Sequence, residues 1–301
     1  MTRLIDLHTH TDQSDGSATP GELVKHAVDL GLEALAITDH DTLAGCDLAA
    51  PLARDAGLEL VTGIELSTRL DNGLMDRLPG VPRPKRMPSV HVLGYFLDGP
   101  PSAAFREFLQ RQQESRRKRN RALVAKLQSL GVDITLDEVQ ALGRNLTGRP
   151  HFAQVLLRKG YVKTLQEAFD VYLADSAKAA VEREEPTLEE GIRQIAAAGG
   201  IASLAHPVRL PFGRDAQALE ALVRILIDAG MEAIEVYHSE HSPEDTELYR
   251  SMAARFGLIQ TGGTDYHGTN KPEIKLGTGK NGNVTLTREL LDQMRARQVD
   301  A

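Results

Sequence analysis

The sequence has no tryptophan, one cysteine and only 4% aromatic residues. Its core must therefore be assembled from Leu, Ile, Val and Ala, as in buried parallel strands. The single thiol, Cys46, cannot close an internal disulfide, so nothing requires an oxidising compartment. No apolar run approaches the ~18–20 residues of a membrane span. Met1-Thr-Arg leads directly into Leu-Ile-Asp-Leu, leaving no room for a signal peptide, and a soluble, cytoplasmic protein is expected. Positive net charge is lacking too. The formal balance of −7 argues against a whole-surface nucleic-acid binder and against stable binding of duplex DNA. Bound metals or a local basic cluster can still reverse the sign inside one cleft.

What is present suits an ordinary globular chain, 41% hydrophobic and 26% charged. Its 301 residues, about twice the ~150 of a typical domain, admit one large α/β barrel or two smaller domains. Short apolar runs predict strands near Arg3–Leu7, Ala34–Thr38, Leu58–Ile64, Val90–Phe96, Ile201–Ala205, Ala233–Tyr237 and Leu258–Thr261. Helical patterns fall near Pro20–Leu30, Leu43–Ala56, Leu188–Ala198, Ala216–Ala229 and Pro243–Phe256. Thr19 suits an N-cap, with Pro20 at the first helical position and Glu22 at N3. Gly31 and Gly57 are suited to stop their helices. This βα alternation predicts a mainly parallel barrel, and seven strands fit an incomplete or distorted one.

The rhythm breaks twice. Residues 69–88 carry Pro79, Pro82, Pro84 and Pro88 and read as a long loop without regular helix, either a lid or a tolerated surface insertion. Residues 101–185 give helical signals at Ala104–Leu130, Asp137–Leu142, His151–Lys159 and Leu165–Leu173, and no convincing strand. The expected organisation is a barrel from 1–100 and 186–301, with an inserted helical subdomain at 101–185.

Barrel enzymes carry their catalytic groups where strands end. The strand ends here hold His8 and His10, Asp39-His40-Asp41, Glu65, His206, His238, and Asp265 with His267. Residues i and i+2 share a strand face, which joins His8 to His10 and Asp265 to His267. Asp15 lies close enough in sequence to fold back over them. Burying so many imidazoles and carboxylates without a cation would be costly, whereas both are natural ligands of divalent metals. There are more of them than one ion needs, so two or three ions are expected.

Ile5-Asp-Leu-His-Thr-His10, Ser14-Asp-Gly16, Ile37-Thr-Asp-His-Asp-Thr42, Gly63-Ile-Glu65, Ala205-His-Pro207 and Gly262-Gly-Thr-Asp-Tyr-His267 together resemble the motifs of the PHP (polymerase and histidinol phosphatase) family. The resemblance implies a distorted (β/α)7 barrel with a bi- or trinuclear metal centre. One ion would take His8, His10, Glu65 and Asp265. A second would share Glu65 and add His91 and His206, and a third would take Asp15, His40 and His267. His91 opens its predicted strand, which is the wrong end in a purely parallel barrel. Only a reversed strand or a hairpin would bring it to the site. Manganese is the metal the family suggests; all-N/O ligation also suits zinc or iron.

The insert adds basic groups. Arg116-Arg-Lys-Arg-Asn-Arg121 wraps more than one helix face; most of it reads as a solvated surface, with Arg116 or Arg119 and Asn120 as candidates to reach the cleft. Gly148-Arg-Pro-His151 presents Arg149 before a helix start, where backbone N–H groups attract anions. Arg149, His151 and Lys178, with Arg209 and His238, resemble features of a family subgroup that hydrolyses nucleoside 3′,5′-bisphosphates and short oligonucleotides. No role is assigned to His26, and His241 either supports the site or faces solvent. The expected reaction is attack on phosphorus by a metal-held hydroxide, with Asp265 in the catalytic set and His238 or His206 protonating the leaving 3′-oxygen. A binuclear amidohydrolase and a non-catalytic metal-bearing module are the competing readings, and a 5′→3′ exonuclease would use nearly the same groups.

Overall fold

The computed structural model describes residues 4–299, except 79 and 85. Arg3 and Pro79, which figure in the expectations above, lie outside the described residues. Seven strands form one sheet in chain order: β1 (Ile5–Asp6), β2 (Ala34–Ile37), β3 (Glu59–Arg69), β4 (Ser89–Phe96), β5 (Ile201–Leu204), β6 (Ala233–His238) and β7 (Ile259–Gly263). Beyond β1 and β7 the edges meet: the Asp265 N–H donates to His8 O at 2.8 Å, and the His10 N–H to Tyr266 O at 2.9 Å. A Cβ at Gly263 would collide with the His8 backbone, so glycine permits this approach. The architecture is a distorted (β/α)7 barrel.

Helices α1 (Pro20–Asp29) and α2 (Ala44–Ala56) cover the first strands. The Thr19–Glu22 capping box starts α1, and Gly57 stops α2 with a left-handed φ of 70°. Strand polarity departs from a simple parallel barrel at one place. β4 runs antiparallel to both β3 and β5, while the remaining neighbours are parallel. The β3–β4 pairing continues from Thr62 opposite Phe96 to Arg69 opposite Ser89. That partner carries β3 well past Ile64, where the sequence suggested it would stop, and Glu65 therefore sits inside a strand. β1 is shorter than expected and ends at Asp6.

Inside the barrel, Leu93 and Tyr95 pack with Ile5, Ala34, Val61 and Ile201, all buried. His91 continues the same inward column of β4. The column thus changes from apolar to imidazole as it reaches the barrel mouth.

The proline-rich stretch contains a short helix, α3 (Asn72–Asp76), contrary to the expectation of loop alone. It precedes the first proline, and Asp71 caps it by accepting the Leu74 N–H at 3.0 Å. After β4 come α4 (Ala103–Ser129), α5 (Leu136–Gln140), α6 (Arg149–Arg158) and α7 (Leu165–Ala168), the last running into a π-helical turn at Phe169–Leu173. These elements share their own apolar cluster, including Leu123, Leu127, Phe152, Leu156 and Leu173. The chain then returns through α8 (Leu188–Ala197), α9 (Ala216–Asp228) and α10 (Pro243–Phe256). A small hairpin, β8 (Ile274–Lys275) with β9 (Gly279–Lys280), and α11 (Arg288–Val299) complete the described chain. Among the described residues no helix is long and apolar enough to cross a membrane.

Candidate metal centre and anion cleft

Glu65 is the hub of the buried cluster at the barrel mouth. Its Oε1 lies 2.6 Å from His91 Nδ1 and 2.7 Å from His206 Nε2. Its Oε2 lies 3.2 Å from His8 Nε2, 3.0 Å from His10 Nε2 and 3.4 Å from His40 Nδ1. Asp265 Oδ1 closes on the same histidines, 3.5 Å from His8 Nε2 and 3.3 Å from His10 Nε2. On the other flank, Asp15 stands 3.3 Å from His267 Nε2 and 3.7 Å from His40 Nε2. The nine residues expected to bind metal are therefore gathered in one place. His91 arrives because β4 is reversed, so its first residues lie at the mouth, with His91 directly opposite Ser67.

Backbone geometry at this rim is unusual. Asp41, His206 and Asp265 adopt positive φ (55°, 26° and 57°), three of the four such non-glycine residues among those described. Conformations of this kind cost roughly 1–3 kcal/mol each, and they persist where the surroundings hold them for a purpose.

The donor chemistry fits divalent cations. His267 Nδ1 donates to the Asp265 carbonyl at 2.7 Å, which leaves its Nε2 bare beside the Asp15 carboxylate. Both ring nitrogens of His10 and Nδ1 of His40 are buried without a hydrogen-bond partner. A lone pair facing a carboxylate needs a cation between them. Four sets of mutually close ligand atoms occur among the described residues: His8, His10, Glu65 and Asp265; His10, Asp15, His40 and His267; His40, Glu65 and His91; and His8, Glu235 and His238. The first two contain the ligand groups expected from sequence. In the third, His40 accompanies His91 around Glu65, although His206 touches the same carboxylate.

Titration behaviour reflects the crowding. Burial alone would depress His10, but Asp265 and Glu65 hold its imidazole up at about 9. Burial drives His40 down to about 3 despite Glu65 and Asp15. Burial opposes ionisation of Glu65 and Asp15, yet the histidines around them keep both well below the usual carboxylate range.

Glu235 is a participant that the strand-end reading missed. Its buried carboxylate accepts from His8 Nδ1 at 2.8 Å and from the His206 N–H at 2.6 Å. It thereby turns His8 Nε2 towards Glu65, the arrangement that fixes a metal-ligating imidazole. Simple alternation sets Glu235 and His238 on opposite faces of β6. A register shift between Glu235 and Tyr237 inserts the extra residue that brings both to the cluster.

A cleft of about 720 Å³ runs from this cluster towards the inserted helices. Its lining includes Arg69, Arg116, Arg119, Arg149 and Arg183. Arg116 reaches Asp41 and donates to Ser67 Oγ at 2.9 Å, while Arg183 lies 3.0 Å from Asp41. Arg149 pairs with Asp175 at 2.9 Å and Arg69 with Glu185 at 2.6 Å. Arg119 is buried and, among the described residues, has no acid partner; its Nε has no hydrogen bond. Burial, and then the guanidiniums of Arg116, Arg149 and Arg183, push its pKa well below the ordinary value. Arginine stays protonated all the same, so the site bears a cation that Glu185 offsets from a distance without pairing with it.

The other expected anion contacts fare differently. Arg209 lines the cleft, held by Glu240 and by Asp265 Oδ2 at 2.8 Å. His151 does not line it; it is buried, and its Nδ1 accepts the Gly148 N–H at 3.0 Å, capping α6. Asn120 is tied to Thr147, with Nδ2 donating to the carbonyl at 2.9 Å, and faces a smaller neighbouring pocket. Lys178 is exposed and outside the lining, because the Ala-rich turn around it points its backbone, and not its side chain, into the insert. Arg69 and Arg183 were not anticipated, since a terminal strand residue and a charged loop residue carry no local signal. His26 sits on α1 beside Tyr266, and His241 is buried, its Nδ1 donating to Val236 O at 2.9 Å. Among the described residues of the proline-rich stretch, its first, Arg69, lines the cleft and the others do not.

Comparison with known proteins agrees with this geometry. The model of the PHP domain matches residues 6–172. A 5′-3′ exoribonuclease of Haemophilus influenzae is 32% identical, over 89% of this chain and 91% of its own. A 3′,5′-nucleoside bisphosphate phosphatase of Chromobacterium violaceum is also 32% identical, over 87% of each chain. A Bifidobacterium adolescentis structure assigned as a metal-dependent phosphoesterase superimposes with a TM-score of 0.79 at 31% identity, covering 98% of this chain and 96% of that one. The chain belongs to the PHP domain family of metal-dependent phosphoesterases.

Proposed function

We propose that this chain hydrolyses small nucleotides bearing more than one phosphate, removing the 3′-phosphate of a nucleoside 3′,5′-bisphosphate. The observation that carries the reading is the lining of a single cleft. One cleft is shared by a cluster of imidazoles and carboxylates and by five arginines, one of them without an acid partner. Two phosphates on one small molecule match two groups of cations, the metals and the arginines, better than a single ester would.

Two or three divalent ions, with manganese our choice ahead of zinc or iron, would be held by His8, His10, Asp15, His40, Glu65, His91, His206, Asp265 and His267. When bound they supply Lewis-acid polarisation of phosphoryl oxygens and acidify water. Arg149 and Arg119 bind the phosphate that does not react, and Arg116 and Arg183 fix the wall beside it. His206 Nε2 is engaged with Glu65, whereas His238 Nδ1 accepts the Glu240 N–H at 3.1 Å. That bond leaves the His238 proton on Nε2, which stands 3.4 Å from Asp265 Oδ2, and His238 is therefore our donor to the leaving 3′-oxygen.

Stepwise hydrolysis of a short oligonucleotide from its 5′ end is the second reading, favoured by the similarity to the exoribonuclease of Haemophilus influenzae. It needs the same arginines for a terminal phosphate. Comparing kcat/KM for adenosine 3′,5′-bisphosphate, each monophosphate and a short RNA separates the two. Preference for the RNA over the bisphosphate overturns the first reading, and turnover of amides alone overturns both.

A further inference from the structure

We infer that Lys271 is a transferable cation: its ammonium rests on Asp265 in the free protein and moves to a non-bridging oxygen of the reacting phosphate once Asp265 engages metal. This rests on the phosphoesterase reading above.

The two oxygens of Asp265 have different surroundings. Oδ1 faces the ligand cluster, 3.5 Å from His8 Nε2, 3.3 Å from His10 Nε2 and 3.5 Å from His267 Nδ1. Oδ2 faces the cleft and receives two cations, Arg209 Nη2 and Lys271 Nζ, each at 2.8 Å. One carboxylate cannot neutralise both. Arg209 has a second acid, since its Nε and Nη2 donate to the two oxygens of Glu240 at 2.8 and 2.7 Å. Among the described residues Lys271 has no other carboxylate within ion-pair distance.

Divalent charge arriving at Oδ1 makes this corner strongly positive and repels whatever cation stands on Oδ2. Arg209 stays anchored by Glu240. Lys271 loses its one partner while its side chain, 30% exposed, lines the cleft. An anion entering the cleft is the partner left to it. The flexible four-carbon stem permits the move without displacing the backbone. That backbone is fixed: the preceding turn, Gly268–Asn270, is tied to the ligand loop by Asn270 Nδ2 donating to Asp15 O at 2.9 Å. A lysine needed only to balance Asp265 would serve no purpose once metal did so.

The test uses Lys271→Met, Lys271→Arg and the parent protein, each titrated calorimetrically with Mn²⁺ and then, when loaded, with inorganic phosphate. The proposal expects Lys271→Met to weaken phosphate binding about tenfold, as loss of a charge-assisted contact does. Its Mn²⁺ affinity should be unchanged or tighter, because a repelling cation is gone, and Lys271→Arg should restore most phosphate binding. Weaker Mn²⁺ binding with phosphate binding intact would overturn it, showing a lysine that only supports the metal ligand. Phosphate binding unchanged in both variants would overturn it as well. A parent protein that binds Mn²⁺ yet neither binds phosphate nor releases it from nucleotides would instead sink the phosphoesterase reading itself.

Discussion

His91 Nδ1 lies 2.6 Å from Glu65 Oε1, a contact that exists because β4 runs against its two neighbours. Glu65 then divides its oxygens, one between His91 and His206, the other among His8, His10 and His40. Substituting His91→Ala should remove about one divalent ion per chain and lower activity roughly 10–100-fold, with little change in melting temperature. Metal analysis of the purified variant checks this. Full metal content with reduced activity would assign His91 to substrate.

Glu235 holds His8 by Nδ1 and His206 by its backbone N–H. Glu235→Gln sets an amide NH₂ against one of these donors and should weaken metal affinity about 10–100-fold. Chelator competition measures it. Unaltered affinity would reduce Glu235 to a packing role.

Arg119 is a buried cation surrounded by other cations. Replacing it with Met should raise the melting temperature, because an unpaired buried charge is removed and a side chain of similar length fills the space. The same variant should raise KM for the bisphosphate about tenfold or more and leave a simple monophosphate ester less affected. Arg149→Ala should share the KM effect without the gain in stability, since it takes from Asp175 its nearer cation and leaves only Arg69, at 3.8 Å. A drop in the melting temperature of Arg119→Met would contradict the reading of Arg119 as a destabilising buried charge.

His241 offers a pH-dependent test away from the cleft. Burial, then the neighbouring His238, lower its imidazole to about 4. Below the free value of ~6.5 the unfolded chain takes up a proton that the folded chain refuses. Its share of stability is therefore full above about pH 6.5 and is lost as pH falls towards 4, on the order of 3 kcal/mol. In urea unfolding, His241→Gln should flatten this acid limb between about pH 6.5 and 4. Equal slopes for both proteins would contradict the assignment.

Most of the barrel and of the residues gathered at its mouth were legible in the sequence because short apolar runs end in histidine or acid at regular intervals. Strand direction was not legible. The inward positions of β4 read alike in either direction, and His91 made sense only with the strand reversed. Glu235 was hidden by the shift in β6 that breaks the period of two. The arginine cluster was half visible. Arg116, Arg119 and Arg149 stood out in basic or turn motifs, whereas Arg69 enters through the long β3–β4 pairing and Arg183 through the return of the insert. His151 and Lys178 matched a motif by spacing, yet one caps a helix and the other faces solvent. Spacing identifies residues that can lie together and does not say which of them turn towards the cleft.

The central claim is tested most directly by phosphate release from adenosine 3′,5′-bisphosphate with metal-depleted protein, before and after addition of Mn²⁺. The account predicts no release before, and afterwards one phosphate per nucleotide with AMP as the other product, about tenfold or more faster in kcat/KM than from either monophosphate. Asp265→Ala should abolish it. Protein that has bound its two or three ions and still releases no phosphate from any nucleotide would contradict the account.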